Sequence, residues 1–401
     1  MLILSFNSSD FVAQFIGLTF VAQRCDLFTY CAILQIKYFY TFFHMNNNSN
    51  STYISNTLSA WYLVNKRELP WRDISDPYLI WISEIILQQT RVNQGMSYYL
   101  RFIERFPTVA DLALSDEDEV LKYWQGLGYY SRARNLHKAA RQVMTDFGGV
   151  FPIEHPDVLK LAGIGDYTAA AICSFAYDQP FAVVDGNVYR VLSRLFGIET
   201  PIDSGVGKKE FTGLAQELIS RLHPGIHNQS IMEFGALQCV PVSPDCLNCP
   251  LQPNCRAYEL NSVDKLPIKS KKTKVSNRFF NYFFIELGGQ TYLQKRVAKD
   301  VWQNLFEFPL VEADQLLSVD ELMETDGFKK LFSGIDEVEV VKISNPMKHV
   351  LSHRVIYAQF VTVKISDENA ILSERIKTPI SEIDQFAVSR LMELFLEDSV
   401  Y

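Results

Sequence analysis

Four cysteines constrain this chain more than any other feature. Cys239, Cys246, Cys249 and Cys255 follow the spacing C-x6-C-x2-C-x5-C. Thiolates that close can converge on one metal centre only if the intervening chain folds into a compact loop. Pro241, Pro244, Pro250 and Pro253 lie among them, as in a loop and not a core helix. Zinc ribbons usually hold two close pairs far apart in sequence. Four ligands in one short loop after a helical stretch suit an iron–sulfur cluster better. A zinc knot and four unrelated thiols are the alternatives. Cys25, Cys31 and Cys173 are isolated, and Cys173 lies in an apolar helical stretch that reads as packing. Seven cysteines in 401 residues are odd in number and too sparse for a disulfide scaffold.

The chain around this loop changes texture along its length. From Tyr53 to Asn261, apolar positions recur at helical spacing in Leu58-Trp61-Tyr62, Ile80–Leu87, Ser115–Trp124 and Gln229–Leu237. Asp76-Pro77, Phe106-Pro107 and His223-Pro224-Gly225 punctuate them. Beyond a linker, Phe279–Leu287, Val338–Ile343 and Val355–Val363 are β-branched and aromatic and read as strands. The expected domains are an all-α region over 53–261, a linker over 262–278 and a smaller α/β region over 279–401. Residues 1–52 are expected to be a leader, not native or disordered. Its apolar run Phe11–Ala22 is too short to span a bilayer and no base precedes Arg24. Translation is expected to begin at Met45, which N-terminal sequencing of the natural protein decides. With neither a span nor a signal peptide, the expected place is the bacterial cytoplasm.

The formal net charge of -8 argues at first against nucleic acid. Its distribution reverses that reading. From Phe279 onward there are 20 acids and 12 bases, so the whole excess lies there and the remainder is neutral. Lys122, Arg132, Arg134, Lys138 and Arg141 share Leu121–Gln142 with no acid. The linker carries Lys265, Lys269, Lys271, Lys272, Lys274 and Arg278 against Asp264. Phosphate contacts are expected at both stretches.

Several residues carry candidate chemistry. Gly163-Ile164-Gly165 forms a tight turn between helical segments, and such a turn can aim backbone N–H groups at a phosphate. Asp185 and Asn187 each read locally as an N-cap. Glu84 is one carboxylate inside the apolar run Tyr78–Leu87. Burial raises a carboxyl pKa, which suits a proton donor, whereas a Glu on a solvated face is the plainer alternative.

Taken in order, these motifs resemble one family. They are Trp71-Arg72, Ser83-Glu84, Leu87-Gln88-Gln89-Thr90-Arg91, Gly126-Leu127-Gly128-Tyr129-Tyr130-Ser131-Arg132, the Gly-Ile-Gly turn, Asp185-Gly186-Asn187-Val188 and the cysteine loop. The chain resembles the MutY-type adenine DNA glycosylases of the helix-hairpin-helix superfamily from about Tyr53 to its C-terminus. The resemblance implies an all-α helix-hairpin-helix domain with an iron–sulfur loop, plus an α/β Nudix-like domain. It implies flipping and removal of adenine opposite 8-oxoguanine or guanine in double-stranded DNA, by a monomer with no membrane partner. Cys239, Cys246, Cys249 and Cys255 would hold a four-iron four-sulfur cluster. Glu84 would protonate adenine and handle the water, and Asp185 would stabilise the sugar cation. Asn187 and Tyr167 would orient them. Arg72, Gln89, Thr90, Arg91, Tyr129, Gly163 and Gly165 would meet DNA, with Gln89 and Tyr129 as wedges.

Endonuclease III-type relatives carry Lys where this chain has Tyr167. A lysine amine forms a Schiff base and supports strand cleavage, which tyrosine cannot, so a monofunctional enzyme is implied. In the C-terminal region, Trp302–Pro309 and His349-Val350-Leu351-Ser352-His353 resemble the Nudix-like domain of this family. No R-E-x-x-E-E pattern follows Pro309, so the fold is expected to bind and not hydrolyse. Ser352 and His353 would contact 8-oxoguanine, beside Leu351 where the family often has Phe. Two competing readings are removal of oxidised pyrimidines and a non-catalytic iron–sulfur DNA-binding protein.

Overall fold

The computed structural model describes residues 50–270 and 275–399. The expected leader up to residue 49, and Lys271, Lys272 and Lys274, lie outside the described residues. The chain divides into two compact units, one of residues up to Pro70 with Asp178–Lys269, the other of Trp71–Tyr177 with Ser270 onward.

The first unit is helical. Its first helix, Asn50–Asn65, begins three residues before the expected start of order and packs on Pro224–Leu237. Pro224 opens that partner helix, where its missing N–H costs nothing. Ile54, Leu58, Leu192, Phe211 and Phe234 form the buried core, with Cys239, Cys249 and Cys255 packed against it. Polar bonds fix the helix pair. Tyr62 Oη donates to Gln229 Oε1 at 2.5 Å. Ser55 Oγ lies 2.8 Å from His227 Nδ1. The buried Glu233 carboxylate accepts from Arg67 Nε at 2.8 Å and Nη2 at 2.6 Å. Between the two lie Gly186–Phe196, closed by Gly197 in the left-handed region, and Gly205–Leu218, capped by Ser204.

The second unit joins a helical part to a sheet part. Asp76 caps Pro77–Leu87, as its Asp-Pro punctuation suggests. Val92–Arg105, Val109–Leu114, Glu117–Trp124, Ser131–Asp146, His155–Val158 and Asp166–Tyr177 follow. Among the described residues eight strands come next: β1 (Ser276–Glu286), β2 (Gln290–Lys295), β3 (Phe306–Glu307), β4 (Leu310–Ala313), β5 (Val338–Ile343), β6 (Met347–Val350), β7 (Arg354–Ile365) and β8 (Ile376–Pro379). β1 and β7 run parallel, in register from Ser276 opposite Arg354 to Glu286 opposite Lys364. β4 pairs antiparallel with β1, while β5 and β6 pair antiparallel with successive parts of β7. β3, β2 and β8 make a second, antiparallel sheet. The three expected strands are present, two of them longer than read. Phe395, on helix Arg390–Ser399, stacks on Phe360 with ring centroids 4.3 Å apart and meets Phe284 and Phe308 edge-on.

The sheet part docks on the helical part of its own unit through polar contacts. Lys295 pairs with Asp118, and Asn304 Nδ2 donates to Glu117 at 2.5 Å. Gln125 donates to Glu393, and its Oε1 accepts from Val388 N–H at 3.0 Å. Arg134 Nη1 donates to Gln303 O at 2.8 Å, and Lys122 Nζ to Phe386 O at 3.3 Å. Phosphate contacts were expected of the base-rich stretch Leu121–Gln142, and four of its five bases also have protein partners. Lys122 and Arg134 reach the sheet part, Arg132 binds backbone carbonyls, and Arg141 bonds Ala113 O. Charge counted along a sequence does not show which oxygen each base meets.

Candidate functional site

Helix Pro77–Leu87 buries eight of its residues, Tyr78 and Ile80–Ile86, and Glu84 is among them, only 8% exposed. The solvated-face alternative for Glu84 is therefore excluded. Helix Asp166–Tyr177 packs against this helix. Tyr167 Oη donates to Glu84 Oε2 at 2.9 Å. One turn further, Gln88 Nε2 donates to Thr168 Oγ1 at 3.3 Å. The Gly-Ile-Gly turn delivers Tyr167 to this place. Gly163 has φ +76, and a Cβ there would lie 2.6 Å from Asn135 Cβ, so only glycine fits. Gly165 is open to solvent, and the helix starts at the next residue.

In the other unit, Asp185 caps helix Gly186–Phe196 as expected. Its Oδ1 accepts from Val188 N–H at 2.8 Å. Asn187, also read as a cap, is instead inside the helix, because Asp185 already occupies the capping position. Its Nδ2 donates to Asp185 Oδ2 at 2.8 Å. Its Oδ1 accepts from Arg190 Nη2 at 2.9 Å. Arg190 also donates from Nη2 to Gly235 O at 2.7 Å and from Nε to Cys239 O at 2.8 Å. A continuous set of bonds thus joins the Asp185 carboxylate to the first cysteine. Burial pushes the Asp185 carboxyl above its ordinary value, opposed by the donors Val188 and Asn187.

Cys239, Cys246, Cys249 and Cys255 line one cavity with Arg194. Arg194 Nη1 donates to Cys239 Sγ at 3.5 Å and to Val240 O at 2.7 Å. Among the described residues, no three His, Cys, Asp or Glu side chains gather tightly enough for one metal ion. Cys173 is buried apart from them, as read.

Two exposed turns of the second unit carry strained residues. Gln89 has φ +57 and Tyr129 φ +48, backbone states that non-glycine residues seldom adopt. Tyr129 is 47% exposed and so is not core packing. Arg132 ties the two turns together from below. Its Nη1 donates to Ile85 O, Ile86 O and Gln88 O, and its Nη2 to Gly128 O at 3.2 Å. Thr90 Oγ1 donates to Gln88 O at 3.4 Å, Arg91 is exposed ahead of helix Val92–Arg105, and Arg72 is half-buried.

Ser352 and His353 form the exposed turn between β6 and β7, closed by Leu351 N–H donating to Arg354 O at 2.8 Å. Ser352 Oγ shares a 2.5 Å hydrogen bond with Tyr129 Oη, so two residues selected separately from the sequence meet. Arg354, at the base of this turn, pairs with Asp300, which also binds Arg278 and Arg296. Burial alone would raise the Asp300 carboxyl, but the three arginines hold it well below the usual carboxylate range. Glu307 and Glu312 are engaged by Arg296 and Arg278.

Comparison with known proteins bears on this arrangement. Residues 82–216 match the family model described as HhH-GPD superfamily base excision DNA repair protein, and residues 281–398 match a NUDIX domain. The adenine DNA glycosylase of Buchnera aphidicola subsp. Baizongia pistaciae is 34% identical over 330 residues, covering 80% of this chain and 89% of that protein. The chain belongs to the adenine DNA glycosylase family. The glycosylase of Mus musculus is 43% identical over 217 residues, covering 52% of this chain and 42% of the mouse protein. A thermostable thymine-DNA glycosylase structure is 30% identical with a TM-score of 0.49, covering 52% of this chain and 97% of that one. This chain is thus a MutY-type enzyme of base excision repair that removes adenine, with a helix-hairpin-helix domain and a C-terminal Nudix-like domain. No helix among the glycosylase's described residues is long and apolar enough to cross a membrane.

Sequence reading missed the residues that hold the site without touching its chemistry. Arg132 was read as one base of the Leu121–Gln142 stretch, and Arg190 and Asp300 were not singled out. Only Arg190 left a trace, three residues after Asn187 on the same helix face.

Proposed function

We propose that this glycosylase removes adenine paired with 8-oxoguanine or guanine in duplex DNA, hydrolysing the N-glycosidic bond without cutting the strand. The observation that carries this reading is the buried Glu84 carboxyl held by the Tyr167 hydroxyl at 2.9 Å. A phenol at this place positions the carboxyl but cannot form the Schiff base that a lyase needs. Glu84 gives a proton to a ring nitrogen of adenine and handles the attacking water, while Asp185 faces the oxocarbenium-like sugar as a carboxylate. Asn187 and the Val188 N–H favour that charged form.

The turns support the partner reading. Gln89 and Tyr129 are held exposed in strained conformations suited to entering a base stack, and Gly163 and Gly165 offer backbone to a phosphate. The hydrogen bond of Ser352 to Tyr129 supports a part for Ser352 in reading the base opposite the adenine. His353 completes that turn, and Arg72, Thr90 and Arg91 are assigned to the DNA surface.

The four cysteines fit a four-iron four-sulfur cluster. They line a single cavity, and four ligands in one short loop suit a polynuclear centre better than the two distant pairs of a zinc ribbon. Cys239, Cys246, Cys249 and Cys255 would be its ligands, and Arg194 faces it. It would supply a rigid cross-link for the loop. The working form is proposed to be a monomer in the compartment that holds the DNA.

The test is release of adenine from duplexes bearing adenine opposite 8-oxoguanine, guanine or thymine. Release from the first two, with no borohydride-trapped adduct, is expected. Efficient trapping, or equal release opposite thymine, would sink the reading.

A further inference from the structure

A cavity of about 170 Å³ lies among the end of helix Pro77–Leu87, the start of helix Ser131–Asp146 and the Gly163 turn. Trp81, Ile85 and Leu136 make its buried floor, and the exposed Ser131, Asn135 and Gly163 stand at its rim. No acidic residue lines it. Neither Glu84, nor Asp185, nor any of the four cysteines belongs to it.

Its donors lack acceptors. Six side-chain polar atoms among the described residues are buried without a partner, and two of them, Trp81 Nε1 and Arg132 Nε, belong to residues lining this cavity. Trp81 is fully buried. A buried N–H left unmet is costly unless a ligand or water accepts from it. Arg132 adds a second imbalance. Its Nη1 and Nη2 reach only backbone carbonyls, and it forms no ion pair. Its guanidinium lies over the Trp124 and Tyr129 rings, 5.2 and 5.6 Å from their centroids, but no anion balances its charge. Water would satisfy the N–H groups but not the charge. The start of helix Ser131–Asp146 adds further positive potential at the rim.

We propose that this cavity seats a phosphate-type oxyanion, which in the working enzyme is a backbone phosphate of the bound duplex. The duplex as source rests on the function proposed above, whereas the oxyanion chemistry does not. The site is separate from the backbone N–H groups of the Gly163–Gly165 turn, since it acts through the side chains of Trp81 and Arg132.

Two measurements test it, on wild type, Trp81→Phe and Ser131→Asp. Trp81→Phe removes one N–H and keeps a ring. Ser131→Asp puts a carboxylate at the exposed rim, where folding is not at risk. First, inorganic phosphate is titrated into the DNA-free protein, read by calorimetry and thermal unfolding. Saturable binding by wild type, weakened at least about threefold in both variants, is expected. Second, single methylphosphonates are placed at successive positions of an adenine:8-oxoguanine duplex. One position should cost wild type about tenfold in affinity and cost both variants little more than their own defect. Phosphate binding with no such position would overturn the duplex as source. No saturable phosphate response and no such position would overturn the site, leaving a water-filled cavity. If Trp81→Phe fails to fold, Ser131→Asp and the wild-type scan still decide. Adenine release by wild type is the control: its failure would count against the proposed function and leave the phosphate titration standing.

Discussion

Tyr167 gives one hydrogen bond to one buried carboxylate, and the size of that bond is measurable. Tyr167→Phe should slow single-turnover adenine release about tenfold, the worth of one bond to a group that becomes charged. Glu84→Gln should reduce release by about 10²–10⁴-fold or more while duplex affinity, measured by gel shift, stays near wild type. Persistence of both would dismiss Glu84 as the acid. The role proposed for Asp185 needs its carboxylate form, and burial raises its folded pKa. The rate should therefore fall as pH drops through a value above the ordinary ~3.9 of an Asp. Asn187→Ala removes a donor that favours the charged form, so it should move that acid limb of the pH–rate profile further up. An unmoved limb would refute the Asn187 role. Glu84 stood out in the sequence as one carboxylate inside an apolar run, whereas Asp185 read only as an N-cap until the family resemblance gave it a role. The parts of Arg190 and Arg132 were not legible, because a base gives the same signal whether it meets a phosphate or a backbone carbonyl.

The elements show where pattern reading succeeds and where it stops. β-Branched content marked β5 at Val338–Ile343, and the Asp-Pro punctuation coincides with the start of helix Pro77–Leu87. Such patterns could not place the Ser352 turn against Tyr129, since a bond between residues this distant in sequence depends on the tertiary fold. Ser352→Ala and Tyr129→Phe should each weaken discrimination between 8-oxoguanine and guanine partners, and the double variant should lose less than the sum. Additive losses would mean that the two hydroxyls act independently. A second element-level test concerns His227, paired with Ser55 across helices Asn50–Asn65 and Pro224–Leu237. Burial lowers its pKa to about 4. An unfolded chain takes up that proton near pH 6.5, while the folded one resists until about 4. Stability is therefore lost as pH falls through this window, by up to about 3 kcal/mol. His227→Gln should flatten the dependence of the urea midpoint on pH between about 6.5 and 4 relative to wild type.

At the scale of the molecule, the sequence marked a helical region, a basic linker and a strand-rich region. Contacts further divide the helical region after Pro70 and after Tyr177. Apolar spacing reveals which face of a helix is buried but not which helix covers it. Nothing in Asn50–Asn65 points to Pro224–Leu237. The cysteine loop was the clearest long-range signal, because four ligands must meet wherever the chain goes. Cys249→Ser should abolish the visible absorbance of the proposed iron–sulfur centre and lower the melting temperature of the protein. Full absorbance and an unchanged transition would exclude Cys249 as a ligand.

The pairing of Ser55 with His227 joins positions 172 residues apart. On a ribosome that adds about 5–20 residues per second, helix Asn50–Asn65 waits roughly ten to thirty seconds for its partner to be made. Meanwhile its apolar stripe, with Ile54 and Leu58, is uncovered, and all of Trp71–Tyr177 has emerged. The first of the described helices of this repair enzyme is thus among the last of them to be covered, so nascent chains should depend on chaperones more than their modest size suggests.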